Sequence, residues 1–304
     1  MSLSLLRYLF QRVVIFFFRR LVKLQYNTTA SPDDITYIPS RDPHRSIKTH
    51  VYRPSKQDTT RTPSPIPSPT PVLINFVGCG YVLPLHGMSD SFCREISHRT
   101  NHIVLDVEYR LAPENPFPAQ LHDAEDVIRW VKTQPSIYDV SHISLSGFSS
   151  GGNLALATAS SFPNDALQLH SVIAFYPPTE LYLDPKTLVP PEIGGSPASP
   201  FVYDLFFGCW LPDRLDRRDP RISPGLANAE SFPEKVMIIT TGYDPLAAEG
   251  ERLAGKLRAD PKRQMAWERI GGCDHGWDVI AKPGYPGWEM RCKVYDMVVD
   301  MLQS

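Results

Sequence analysis

The chain has 304 residues, of which 42% are hydrophobic and 21% charged, with a formal net charge of −2. This is ordinary globular usage and enough chain to bury a sizeable core, which excludes wholesale disorder, a collagen-like repeat and a coiled coil. The near-neutral balance also lacks the basic excess that sequence-independent nucleic-acid binding requires.

Residues 1–24 are rich in Leu, Val and Phe and carry Arg7, Arg12, Arg19, Arg20 and Lys23 with no acid. The unbroken apolar run Val13–Phe18 is too short to span a bilayer, which takes about 20 residues, and too short for the core of a secretory signal. Two readings remain. One is a helix on a membrane surface with Phe16–Phe18 inserted. The other is a structural helix packed over the body. The second is favoured, because the cations do not gather on one clean helical face. A cytoplasmic protein is expected, and the glycosylation triplet Asn27-Thr28-Thr29 then carries little meaning.

Ile47, Thr49 and Val51 alternate with Lys48, His50 and Tyr52, which predicts a half-buried strand. Residues 57–71 hold a proline at every second position from Pro63 to Pro71 and predict an extended surface loop, since proline cannot supply the N–H groups of a sheet. Val72–Val77 and Ile103–Tyr109 read as strands buried on both faces. A helix follows with Leu121, Ala124, Ile128 and Val131 on one side. Ile143–Leu145 leads through a glycine-rich turn into a helix. Ser171–Tyr176 and Val236–Thr241 are two more buried strands, and Val294, Met297, Val298 and Met301 mark a final helix. This alternation predicts an α/β fold with a mostly parallel sheet covered by helices on both faces.

Residues 181–232 break the rhythm. Tyr203, Phe206, Phe207 and Trp210 fall at helical spacing, which is either a core stripe or a lid helix offering aromatics to an apolar substrate. The five cysteines, Cys79, Cys93, Cys209, Cys273 and Cys292, stand at long spacings with no Cys-x-x-Cys pair, so no zinc-site signature arises and reduced, buried thiols are expected.

Gly147-Phe148-Ser149-Ser150-Gly151 fits Gly-x-Ser-x-Gly, and it follows a strand and opens a helix. Such a turn exposes the serine hydroxyl at the end of the sheet, so Ser149 is the candidate nucleophile. It needs a base. Of the nine histidines only His170 and His275 follow it. His170 abuts a strand, whereas His275 lies in a glycine-rich loop, so His275 leads. Asp244 emerges directly after the strand Val236–Thr241 and is the acid that would orient it; Asp274 is adjacent to His275 and poorly placed to do so. Oxyanion donors are expected from Ser150 N–H and from Gly78 and Cys79 in the turn after Val72–Val77, with Tyr81 and Phe148 among the pocket residues.

With these residues in place the chain resembles the hormone-sensitive-lipase-like family of α/β-hydrolases. The likeness rests on Tyr109–Ala119 (YRLAPENPFPA), on Gly147–Ala155 around Ser149, on Gly242-Tyr243-Asp244-Pro245-Leu246 and on Asp274-His275-Gly276. It implies a serine carboxylesterase or lipase-like enzyme acting on a small-molecule ester, with no metal and no cofactor. It also implies a cap built from residues 1–45 and about 181–225. Two departures stand out. The family's His-Gly-Gly-Gly appears here as Val77-Gly78-Cys79-Gly80, which predicts a side chain where the acyl group approaches. Phe148 replaces a common Asp, which predicts a more apolar wall. Fungal relatives in secondary-metabolite pathways supply an analogy for the substrate. The alternatives are acyl transfer or cyclisation by the same triad, and a ligand-binding protein like the gibberellin receptor. That receptor has lost the histidine that His275 supplies here. The oligomeric state is left open.

Overall fold

The computed structural model describes residues 3–25, 30–55, 69–161, 169–213 and 215–304. The Asn27–Thr29 triplet and most of the proline-rich stretch lie outside the described residues. Thr70 and Pro71, expected at the end of that loop, instead open a strand, a position where proline costs no ladder hydrogen bond.

Eight strands form one sheet: β1 (Asp34–Pro39), β2 (Ser46–Tyr52), β3 (Thr70–Phe76), β4 (Ile103–Val107), β5 (Tyr138–Phe148), β6 (Leu169–Phe175), β7 (Lys235–Thr241) and β8 (Gln264–Ile270). Their order is β1-β2-β4-β3-β5-β6-β7-β8. The β1–β2 and β2–β4 pairs are antiparallel and the rest parallel. The strands legible as apolar runs are the inner ones, covered on both faces. The edge strands β1 and β8 were not legible, because half-exposed edges such as Gln264–Ile270 carry no such run.

Helices α2 (Asp90–Thr100) and α8 (Trp288–Gln303) cover one face. Phe92, Ile96, Val294, Tyr295 and Val298 are buried there against Leu73, Val104 and Phe175. Helices α3 (Ala119–Lys132), α4 (Ser150–Ser161) and α6 (Ala247–Arg258) cover the other, with Leu121, Ile128, Leu156 and Leu257 buried against Ile74, Leu105 and Ile238. Strand β2 is not half-buried as its alternation suggested: His50 and Tyr52 are buried too. Its second face is closed by α2, where Asp90 Oδ1 accepts the Tyr52 hydroxyl at 2.9 Å, and by His86, whose ring lies 4.1 Å from that of His50.

Helix α1 (Leu3–Gln25) and helix α5 (Pro200–Trp210) meet over the carboxyl ends of the strands, with the Phe18 and Phe206 rings edge to face at 6.2 Å. Ile15 is fully buried, worth about 1.5–3 kcal/mol. Arg19 donates to the carbonyls of Val82 and Ala112, both at 2.7 Å, and grips Glu114 with two bonds. The opposite side leaves Phe10, Phe16, Phe17, Leu21 and Leu24 exposed. No described helix is long and apolar enough to cross a membrane. The cap expected over 1–45 is shorter than that, since Asp34–Pro39 is a sheet strand anchored by Ile38.

Candidate active site

The strand order reverses at β3, whose neighbours are β4 and β5. In open α/β sheets a crevice forms at such a point beyond the carboxyl ends. Here the turn after β3 faces the turn between β5 and α4. Ser149 fills that second turn with φ of 52°, left-handed backbone that costs a non-glycine residue about 1–2 kcal/mol. The turn is held from both sides: Ser149 N–H donates to Phe175 O at 2.8 Å, and Asn153 N–H to Ser149 O at 2.9 Å. Gly151 is required, since a Cβ there would lie 2.0 Å from Phe76 O.

His275 stands on the loop between β8 and the short helix α7 (Trp277–Ile280), and Asp244 in the turn after β7. His275 Nε2 is 2.8 Å from Ser149 Oγ, and His275 Nδ1 is 2.7 Å from Asp244 Oδ2. Asp244 is fully buried, and its Oδ1 accepts Leu246 N–H at 3.0 Å. Burial works against a charged His275, but the charge and hydrogen bond of Asp244, aided by Asp278, outweigh it and hold the imidazole pKa above its usual value. The two loops are tied together. Tyr243 N–H donates to Cys273 O, Glu192 N–H to Gly242 O, and Gly272 N–H to Glu192 Oε2. Asp274 Oδ1 accepts Ser196 N–H at 2.7 Å.

The oxyanion turn departs from expectation at Cys79. Its N–H donates to Ser150 Oγ at 3.0 Å instead of standing free. Cys79 lines the cavity, and its thiol is buried 3.0 Å from the Tyr109 hydroxyl, which itself donates to Val77 O. Burial pushes the thiol pKa up, against the pull of its hydrogen bonds. Gly78, Gly80 and Ser150 also line the cavity, and among the described residues no acceptor takes the N–H of Gly80 or Ser150. The sequence reading includes Gly80 in this turn but does not name it as a donor. Its φ is 57°, and a Cβ there would lie 2.3 Å from Phe206 Cδ2.

Ser149 and His275 open into a cavity of about 470 Å³. Phe148, Tyr203, Phe206 and Phe207 line it. Tyr81 and Trp210 do not, which corrects their assignment as pocket residues. Helix α5 ends by turning its last ring inward. Trp210 stacks on Tyr81 at 3.8 Å and donates to Gln120, while the Tyr81 hydroxyl donates to Asn153 at 2.6 Å. Asp278, three residues after His275, is a buried wall residue that the sequence reading passed over; it accepts the Tyr176 hydroxyl at 2.6 Å. Among the described residues no trio of ligand-type side chains suited to a metal lines this cavity.

Residues 73–279 match the family model described as alpha/beta hydrolase fold. The chain belongs to the α/β-hydrolase fold family. Its likeness to the hormone-sensitive-lipase-like members runs through curated relatives and solved structures alike. Carboxylic ester hydrolase LipN of Mycobacterium tuberculosis is 30% identical over 262 residues, covering 80% of this hydrolase-fold chain and 64% of LipN. An arylesterase of Saccharolobus solfataricus is 29% identical over 208 residues, 68% of each chain. The chain thus spans about two thirds of the length of these curated relatives. Among solved structures, the hyperthermophilic esterase of the archaeon Pyrobaculum calidifontis superposes with a TM-score of 0.74 at 25% identity, covering 100% of this chain and 93% of that one.

Proposed function

We propose that this α/β-hydrolase cleaves carboxylic esters of hydrophobic small molecules through an acyl-enzyme on Ser149. The observation that carries the reading is the unbroken hydrogen-bonded series Ser149 Oγ, His275 Nε2, His275 Nδ1, Asp244 Oδ2 at the wall of an apolar cavity. Ser149 Oγ attacks the ester carbonyl while His275 Nε2 takes its proton. Asp244 keeps the other ring proton on Nδ1 and stabilises the imidazolium. The N–H groups of Gly80 and Ser150, which have no acceptor among the described residues, receive the negative oxygen, each worth about 10²–10³ in rate. His275 then protonates the leaving alcohol, and later activates the water that frees the acid.

The lining supports a neutral, apolar substrate. Among the described residues no Lys, Arg or Glu lines the wall, and its one carboxylate, Asp278, accepts the Tyr176 hydroxyl, so an anionic acyl or alcohol group would find no Lys or Arg there. The Tyr203 ring adds to the apolar wall, and its hydroxyl is buried with no hydrogen-bond partner among the described residues. A tailoring step on a secondary metabolite suits such a cavity. The test compares wild type with Ser149→Ala on p-nitrophenyl acetate, butyrate and octanoate, together with fluorophosphonate labelling. Turnover and labelling that both vanish in the variant are expected. Equal traces in both proteins and no labelling would overturn the assignment in favour of a binding protein.

A further inference from the structure

A second cluster of chemistry-bearing side chains lies outside the catalytic cavity. His50 on β2 and Asp106 on β4 are register partners, so their side chains share the α2 face of the sheet. His86, from the loop between the oxyanion turn and α2, reaches the same point. One ligand atom from each of the three residues falls within 4.8 Å of the others. His86 Nε2 is 3.3 Å from Asp106 Oδ2 and 3.0 Å from the Asp106 carbonyl.

Two features distinguish this cluster from a buried ion pair. Asp106 is fully buried, yet its Oδ2 has no hydrogen-bond partner; His50 is 7% exposed, and its Nδ1 has none either. Orphaned buried polar atoms cost about 1–3 kcal/mol each, and two within one cluster of ligand-type side chains are the mark of a missing partner. The surrounding groups are those that orient ligands. Asn75 donates to Asp106 Oδ1 at 2.7 Å and accepts Ser146 Oγ at 2.8 Å. Glu108 Oε2 lies 3.6 Å from His86 Nδ1, where a proton moved from Nε2 would be received.

We propose that His50, His86 and Asp106 bind a divalent transition metal ion of the zinc class, two imidazoles and a carboxylate with a fourth position for water. No short motif announces the site because its ligands come from two strands and a loop that only the sheet brings together. The ion would do mechanical work. Leu83, Leu85 and Met88 flank His86 on the same loop and form one wall of the substrate cavity. Fastening His86 to the sheet would hold that wall in place.

The test uses the full chain, stripped with a chelator and titrated with Zn²⁺ by calorimetry and with Co²⁺ by visible absorption. One ion per chain is expected, with a higher melting temperature when zinc is bound. His86→Ala and His50→Gln should each weaken binding at least about tenfold. His86 lies on a loop, so its variant is expected to keep the metal-free melting temperature, which separates a lost ligand from a lost fold. Absence of stoichiometric Zn²⁺ binding would overturn the proposal. So would binding that survives His86→Ala and falls instead with His142→Ala, whose ring lies 5.0 Å from that of His170.

Discussion

Replacing Asp244 by asparagine probes the proposed chemistry with little change of shape. Asp244 Oδ1 accepts Leu246 N–H and Oδ2 faces His275 Nδ1. An asparagine must keep its oxygen on the Leu246 N–H, so its amide nitrogen turns toward His275. That nitrogen donates, which forces Nδ1 to accept and moves the ring proton to Nε2, the atom that must take the proton of Ser149. The base is then blocked by its own hydrogen. A tautomer error of this kind costs about 10⁴ in kcat, or about 5 kcal/mol at ~1.36 kcal/mol per tenfold. The pH profile supplies an independent readout. His275 must be neutral to act, and its pKa is held above 6.5, chiefly against burial by Asp244. The acid limb of the wild-type profile should therefore have its midpoint above 6.5, and in Asp244→Asn the limb should move to lower pH because the balancing charge is gone. The same shift has a stability sign. The raised pKa contributes stability that is full below the unfolded value and is lost as pH rises through the folded one. Steady-state hydrolysis of p-nitrophenyl butyrate across pH, with thermal melts alongside, checks both. A loss in kcat below about tenfold, or an unmoved acid limb, would refute the reasoning.

Two further outcomes are expected. Gly80→Ala adds a Cβ at 2.3 Å from Phe206 in left-handed backbone, which costs about 1–2 kcal/mol before any clash is relieved; kcat should fall more than KM rises, and wild-type kinetics for the alanine variant would show that the turn tolerates movement. Tyr203→Phe removes a buried hydroxyl with no partner among the described residues, so the melting temperature should hold or rise; kcat/KM should stay level for esters with and without an acceptor group, which a paired substrate series measures.

How far the sequence reads depends on how local each feature is. The turn around Ser149 is legible because strand, glycines and helix follow one another within a short stretch. The inner strands are legible because burial on both faces leaves a continuous apolar run. Strands β1 and β8 are not: β8 mixes polar with apolar residues, and β1 buries only Ile38, so neither carries the continuous apolar run of an inner strand. The aromatic stripe of α5 is legible as a stripe, but its division is not: three rings face the substrate cavity, and Trp210 on the last turn meets Tyr81 beneath it. Periodicity places residues on one side of a helix and says nothing of what that side meets along its length.

The sequence by itself determined the fold class, the serine turn and the candidates Asp244 and His275, because each follows from residue types within a short window. Only the tertiary structure decided that Cys79 N–H is taken by Ser150 Oγ, that Gly80 lies beneath Phe206, and that His50, His86 and Asp106 converge. These are contacts between side chains carried on different strands and loops. Their distances are set by sheet register and helix packing, which no local spacing encodes.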